Sequence, residues 1–224
     1  MTEKSGYFWF FRPGNVELMT KLLDGRLNNG HFWFFYGALS NVEYQLSLKD
    51  RLTGASRTYV NEASTFASVG DVKAFPAPLD GQGVLAEELE LSTEKPFGLV
   101  RNDVGIDLGT PATPCAAGGD SLCLLDGRFK VSVEWRTSKG DSGIGRPLQL
   151  TRDTGAFYFF RSDNVELLLK ILDGRAANGH FWVFYGSLSN VEFTIRVTDN
   201  ETGAVRAYHN APGNFASAGD VEAF

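Results

Sequence analysis

Two copies of one polar loop carry the strongest candidates for chemistry in this chain. The first reads Asp-Gly-Arg-Leu-Asn-Asn-Gly-His from residue 24, and the second reads Asp-Gly-Arg-Ala-Ala-Asn-Gly-His from residue 173. Each copy offers a carboxylate, a guanidinium, an amide and an imidazole, which together could bind calcium or a sugar or respond to pH. The candidate binding residues, all of them weak, are Asp24, Arg26, Asn29, His31, Asp173, Arg175, Asn178 and His180.

These loops also have a purely structural interpretation. They lack the Asp-x-Asp-x-Asp-Gly run and the distal Glu of an EF-hand. Asp-Gly and Asn-Gly tolerate positive φ and are typical of tight turns. His31 and His180 stand where each turn enters an aromatic run, so a half-buried ring bonded to a backbone carbonyl is the alternative to a functional imidazole. Arg26 and Arg175 are expected to pair with Glu17 or Glu43 and their copies. We predict no metal site and no cofactor.

One tetrapeptide resembles the surroundings of a catalytic serine. Residues 140–143 read Gly-Asp-Ser-Gly, as around the nucleophile of trypsin-like proteases. A serine protease also needs a histidine base and an orienting aspartate. The histidines at 31 and 180 are copies of each other, and the first copy has no matching serine, so we predict a hairpin turn here.

Paired carboxylates for glycoside hydrolysis are equally hard to nominate. Glu17, Glu43, Glu166 and Glu192 fall on alternating strand positions that are expected to face solvent. No catalytic residue is therefore assigned, and the sequence predicts a protein that is not an enzyme.

The only two cysteines, Cys115 and Cys123, flank a loop of small residues. This spacing fits a short disulfide-closed loop, which implies an oxidising compartment. Two free thiols are the alternative. A metal site is disfavoured because two sulfurs without a nearby His or further Cys leave the coordination incomplete.

Composition indicates β-structure and disfavours two kinds of partner. The chain has 224 residues with 18 Phe, 7 Tyr, 4 Trp and 25 Gly, as strands and turns require. A net charge of −6 without a basic cluster disfavours nucleic acid. No apolar run approaches the roughly 18 residues of a membrane span, and the first residues do not resemble a signal peptide.

Residues 5–75 align without a gap on residues 154–224, and about 60% of the positions are identical. Within this unit, residues 6–11 predict an aromatic strand covered on both faces. Residues 15–23 predict a strand, with a helix as the alternative, that forms a hairpin with the aromatic strand after the loop. Residues 41–49 alternate apolar and polar positions and predict a strand with one wet face.

The fold class predicted is all-β, with two related antiparallel β-sandwich modules in tandem. Residues 1–75 form a first, incomplete sandwich and residues 115–224 a complete one of about seven or eight strands, joined by a linker at 76–114 with short strands near 85–91 and 97–106. The first module lacks the opening hairpin that residues 127–136 and 145–151 give the second. We expect that the chain is a fragment of a longer protein, that the linker strands fill this gap, or that a second chain completes the module in a homo-oligomer.

Four motifs carry a resemblance to a known family: Cys-x7-Cys-Leu, Gly-Arg-Phe-Lys-Val-Ser-Val-Glu-Trp-Arg, Asp-Gly-Arg-Ala-Ala-Asn-Gly-His-Phe-Trp-Val-Phe-Tyr-Gly and Leu-Ser-Asn-Val-Glu. Together they resemble a repeat of secreted or envelope proteins of environmental bacteria, often appended to peptidase or lipoprotein regions. The resemblance covers residues 115–224 fully and 2–75 in part. It implies an extracytoplasmic accessory module with no catalytic residues.

The predicted function is therefore non-catalytic: adhesion, recognition or spacing, with a protein or glycan as ligand. The alternative is a carbohydrate- or calcium-dependent binding module that uses the Asp24 and Asp173 loops. The expected location is extracytoplasmic, secreted or in the cell envelope, as part of a parent protein.

Overall fold

The computed structural model describes residues 4–77, 115 and 119–224, and the all-β prediction is confirmed. The predicted linker strands near 85–91 and 97–106 lie outside the described residues. In the N-terminal half the elements are β1 (Ser5–Phe8), β2 (Leu18–Asp24), α1 (Arg26–Asn29), β3 (His31–Ala38), β4 (Tyr44–Lys49), β5 (Ser56–Asn61) and β6 (Ser68–Pro76).

The C-terminal half contains more strands. They are β7 (Leu122–Leu124), β8 (Phe129–Arg136), β9 (Ser142–Ile144), β10 (Arg146–Gln149), β11 (Thr154–Tyr158), β12 (Leu167–Asp173), α2 (Arg175–Asn178), β13 (Phe181–Ser187), β14 (Glu192–Asp199), β15 (Val205–Asn210) and β16 (Ser217–Asp220). Among the described residues, no helix has the length and apolar character to cross a membrane.

The strands form four antiparallel sheets. Sheet I is β4-β5, sheet II is β1-β2-β3-β6, sheet III is β10-β11-β12-β13-β16, and sheet IV is β15-β14-β8-β7 with β9 on β8. Three apolar clusters lie between sheets I and II, between II and III, and between III and IV. Sheets II and III are thus covered on both faces, which is why β3 and β13 have nearly continuous aromatic sequences.

Most strand predictions from the sequence hold. Residues 15–23 contain strand β2, not a helix, and β2 forms the predicted hairpin with β3. In β14, Phe193, Ile195 and Val197 are buried while the residues between them are not, as the alternating pattern predicts. The Asn-Gly glycines, Gly30 and Gly179, have φ of 77° and 84° at the ends of the single-turn helices α1 and α2.

The prediction for residues 6–11 is wrong in the N-terminal half. Strand β1 ends at residue 8, and the side chains of Phe8, Trp9 and Phe11 are 45%, 49% and 68% exposed. The matching Phe157 is 0% exposed because its strand, β11, is flanked by β10 and its sheet is covered by sheet IV. Among the described residues, no strand pairs with the outer edge of β1 as β10 pairs with β11.

The opening hairpin of the C-terminal half also differs from the prediction. The tight turn lies at residues 138–140, so Ser142 begins strand β9, which pairs with β8. The chain then crosses to the other sheet at Gly145, and β10 pairs with β11 instead of running back along β8. Glycine suits this crossing, since a Cβ there would lie 3.1 Å from the Cβ of Val133.

Candidate functional site

In each polar loop the aspartate and the arginine bind each other. Asp24 Oδ1 accepts a hydrogen bond from Arg26 Nε at 2.9 Å, and Oδ2 accepts one from Arg26 Nη2 at 2.7 Å. Asp173 and Arg175 repeat both distances. The hydrogen bonds from the guanidinium lower the pKa of each aspartate from 3.8 to about 2. The predicted pairing of these arginines with glutamates is therefore wrong, because the local two-residue pair is closer.

The asparagine of each loop has a structural contact as well. Asn178 Oδ1 accepts a hydrogen bond from Trp182 Nε1 at 2.8 Å, and its Nδ2 donates one to the Val221 carbonyl at 2.7 Å. Asn29 makes the same two bonds in the first loop, to Trp33 and Val72. Each asparagine thus ties its helical turn to the aromatic strand and to the segment that closes the sheet.

The glycine after each aspartate is explained by the same tryptophan. A Cβ on Gly25 or Gly174 would lie 2.0 Å from the indole of Trp33 or Trp182, so only glycine fits beneath the ring. Their φ angles are −97° and −93°, so positive φ is not the reason for these two glycines. The glycine of each Asp-Gly pair is therefore required by close packing against a tryptophan, and the prediction that it serves a positive-φ turn is wrong.

The three histidines do not converge on a reactive group. His31 Nδ1 donates to the Asn29 carbonyl at 2.7 Å, and the backbone N–H of His180 donates to Asn178 Oδ1 at 3.3 Å. His209 Nδ1 contacts Thr194 Oγ1 at 3.2 Å. Within the part of the chain that the structure describes, none of them is hydrogen-bonded to Ser142.

The second loop borders an open cleft of about 470 Å³. Asp173 and Arg175 contribute to it, beside residues that the sequence analysis did not select. Those residues are Asp126, Arg128, Arg152, Phe181, Asn200 and Glu201. They come from three loops and from the first residue of β13, which are far apart in the sequence, so no local motif indicates the cleft.

Charges in the cleft are paired across these loops. Arg128 contacts Asp199 at 3.0 Å and Glu201 at 2.7 Å, and its guanidinium lies 4.2 Å from the centroid of the Phe181 ring. The Arg175 guanidinium lies 4.5 Å from the same ring. Cation–π contacts of this kind fix both arginines at the mouth of the cleft.

Asp126 and Arg128, which line the cleft, lie outside the repeated unit of residues 154–224. At the positions that match Asn200 and Glu201 the first copy has Arg51 and Leu52, and the Leu52 side chain is 97% exposed. The two polar loops are therefore equivalent in their internal bonding and different in what surrounds them.

Two of the glutamates expected on wet faces are in fact buried. Glu17 and Glu166 are 2% and 1% exposed, and both accept hydrogen bonds from a backbone N–H and an asparagine. Burial raises the pKa of Glu166 to about 7. The wet-face prediction is wrong for this pair because each glutamate directly precedes a central strand, β2 or β12, of a sheet that is covered on both faces.

No metal-binding cluster is found among residues 4–77, 115 and 119–224. No group of three or more His, Cys, Asp or Glu side chains there could hold a metal ion. Cys115 and Cys123 form a disulfide, as predicted. No protein-family model matches the chain, and no curated protein or solved structure is significantly similar to it.

Proposed function

We propose that this chain is a non-catalytic, extracytoplasmic module for adhesion, recognition or spacing, built from two copies of one β-sandwich repeat. Repeat 1 comprises residues 4–77 and repeat 2 residues 115 and 119–224. The observation that carries this proposal is a reciprocal contact between the repeats, in which matching residues exchange the same bonds across sheets II and III.

The contact is closest where a residue meets its own copy. Ser68 Oγ lies 2.8 Å from Ser217 Oγ, and these residues are 149 positions apart, the offset of the repeat. A Cβ on Gly37 would lie 2.9 Å from the backbone of Gly186, and a Cβ on Gly186 would lie 3.0 Å from that of Gly37. Self-contacts of this kind are typical of a twofold axis.

Away from these self-contacts several interactions occur in matched pairs. Lys21 Nζ donates to the Val165 carbonyl at 2.8 Å, while Lys170 Nζ donates to the Val16 carbonyl at 3.0 Å. The rings of Phe35 and Phe215 lie 6.0 Å apart, and those of the matching pair, Phe66 and Phe184, lie 5.9 Å apart. The two repeats therefore pack like the subunits of a symmetric dimer within one chain.

Such an interface supports a fixed spacer or a rigid recognition platform. Its apolar cluster includes Met19, Leu39, Leu168 and Leu188, all nearly inaccessible to solvent. Large hydrophobic interfaces hold domains in one orientation, whereas small polar ones allow relative motion. An extracytoplasmic location is supported by the disulfide, because oxidising compartments preserve such bonds.

Distances between spin labels test the proposed rigidity. Leu27 and Ala176 occupy matching, exposed positions, and the structure describes no free cysteine, so Leu27→Cys and Ala176→Cys can be labelled selectively. We expect one narrow distance distribution between the repeats. The control pair, Leu27→Cys with Leu52→Cys, measures the width within repeat 1. A clearly broader or bimodal distribution between repeats would overturn the rigid-module proposal.

The cleft of repeat 2 favours carbohydrate binding as a second candidate function. Carboxylates, guanidinium groups, an amide and the Phe181 ring line it, and such groups bind sugar hydroxyls and ring faces. A glycan array with the wild-type chain tests this candidate. Binding that is lost in Glu201→Ala and kept in Leu52→Ala, the matching change in repeat 1, would support it, whereas an array without any hit would count against it.

A further inference from the structure

Sheet I of repeat 1 has an open edge where sheet IV of repeat 2 has a strand. In repeat 2, β14 pairs with β15 on one side and with β8 on the other, with eight residues of β14 in register with β8. In repeat 1 the matching strand, β4, pairs with β5, and the described residues provide no strand on its other side. Open edges of this kind readily accept a further strand.

The side chains of β4 show the same deficit. Phe193, Ile195 and Val197 of β14 are at most 1% exposed, whereas the matching Tyr44 and Leu46 of β4 are only partly buried. Tyr44 and Leu46 thus lack the cover that β8 gives to Phe193 and Ile195.

Strand β1 of sheet II has the same kind of open edge. In repeat 2, β10 pairs with β11, and Trp135 of β8 stacks on Phe159 with ring centroids 6.1 Å apart. Repeat 1 presents the matching region with Phe8, Trp9 and Phe11 substantially exposed. Because β8, β9 and β10 are consecutive in the chain, one continuous segment covers both positions in repeat 2.

We propose that repeat 1 binds a β-hairpin donated by another polypeptide, which pairs antiparallel with β4 and returns along β1. The donor must have apolar residues at alternate positions, as β8 does with Phe129, Val131 and Val133, and must bring a ring to cover the exposed aromatics. The inference rests on the proposed equivalence of the two repeats and specifies the partner of the recognition function.

The donor is a different polypeptide and not the hairpin of a second folded copy. In β8 the side chains of Phe129, Val131 and Val133 are 0% exposed in the core of repeat 2. A second copy would have to unfold this core to offer its hairpin. It would then lose about as much apolar burial in its own repeat 2 as the hairpin provides in repeat 1.

A synthetic peptide tests the inference directly. The probe is residues 120–150 of this chain with Cys123→Ser, fluorescently labelled and titrated with the full-length protein. We expect saturable one-to-one binding, and we expect the peptide variant Val131→Asp/Val133→Asp to bind at least about 10-fold more weakly. The control peptide, Lys130→Ala/Ser132→Ala, changes the opposite face of the same strand and should retain its affinity.

Hydrogen exchange shows where the peptide binds without altering the protein. Amides of residues 44–49 should become protected when the wild-type peptide is added, and those of the matching strand β14 should not change. Four outcomes would overturn the proposal. The first two are the absence of saturable peptide binding and peptide-induced protection of amides outside residues 44–49. The other two are β4 amides that are fully protected before peptide is added, by residues 78–114 or by a dimer, and binding of a glycan at Trp9 in place of the peptide. None of these changes the distance between the two repeats of one chain, which is measured with labelled protein diluted into unlabelled protein, so failure here is distinguishable from failure of the rigid-module proposal.

Discussion

The closest approach of the two repeats predicts a clear effect of adding a single methyl group. We expect Gly37→Ala to destabilise the protein. Its new Cβ would lie 2.9 Å from a backbone carbon of Gly186 and 3.0 Å from the Ser187 carbonyl oxygen. Backbone atoms in the middle of two paired sheets cannot move aside independently, so the sheets must separate slightly.

The size of the effect follows from two opposing contributions. Overpacking of a well-packed interior typically costs about 1–3 kcal/mol. Replacing glycine with alanine lowers the entropy of the unfolded chain and returns about 0.4–1 kcal/mol where the backbone allows it. We therefore expect the free energy of unfolding to fall by about 1–2 kcal/mol, which lowers Tm by about 2–8 °C in a chain of this size.

Gly14→Ala is the matched control. A Cβ on Gly14 would have no heavy atom within 4 Å, and the residue does not have a positive φ. Only the entropy contribution applies there, so this variant should melt at or slightly above the wild-type temperature. Calorimetry and urea titration measure both variants.

The reciprocal variant adds a test of mechanism. Gly186→Ala should cost at least as much, because its Cβ would lie 3.0 Å from backbone atoms of Gly37 and Ala38 and also 2.8 Å from Ser217 Oγ. The double variant should cost less than the sum of the two, since one separation of the sheets relieves both clashes. If Gly37→Ala melts like Gly14→Ala, or if the two effects add fully, the close reciprocal contact is not present in solution.

Three further predictions concern pH, the disulfide and calcium. Burial lowers the pKa of Lys21 and of Lys170 from 10.5 to about 8. Between these pH values the unfolded chain binds more protons than the folded protein, so the free energy of unfolding should rise from about pH 8 to pH 10. The double variant Lys21→Met/Lys170→Met should flatten this rise in urea titrations. Replacing both cysteines with serine should remove about 2–3 kcal/mol of stability, measured by the same titrations, and an unchanged midpoint would contradict it. Calcium should not shift Tm of the metal-stripped protein, because the loop carboxylates already bind arginines; a shift that Asp24→Ala/Asp173→Ala abolishes would contradict this expectation.

Local features of the fold were predictable from the sequence where one strand face meets solvent. The alternation in residues 41–49 and in their copy places the apolar side chains of β4 and β14 on one face, and the Asp-Gly-Arg loops end where the aromatic strands begin. Alternation has a period of two residues, so such a strand specifies its own orientation. The disulfide was predictable for a similar reason, since its two cysteines are close in sequence.

For strands that are covered on both faces, the sequence pattern did not indicate which side chains are buried. Glu17 and Glu166 follow the same alternation as solvent-facing residues, yet both are buried, and each lies near a lysine of the other repeat, Lys170 and Lys21. The cleft beside Asp173 is likewise assembled from loops that only the fold brings together. Periodicity records that a face is apolar or polar, and it does not record what covers that face.

The sequence by itself determined the repeat, most of the strands and the polar loops, because these depend on neighbouring residues and on a self-similarity that can be read directly. Only the tertiary structure decided that sheets II and III meet at Gly37 and Gly186, and that β1 and β4 are the strands whose edges are open among the described residues. Both facts concern contacts between distant segments, whose energies depend on three-dimensional proximity and not on local sequence.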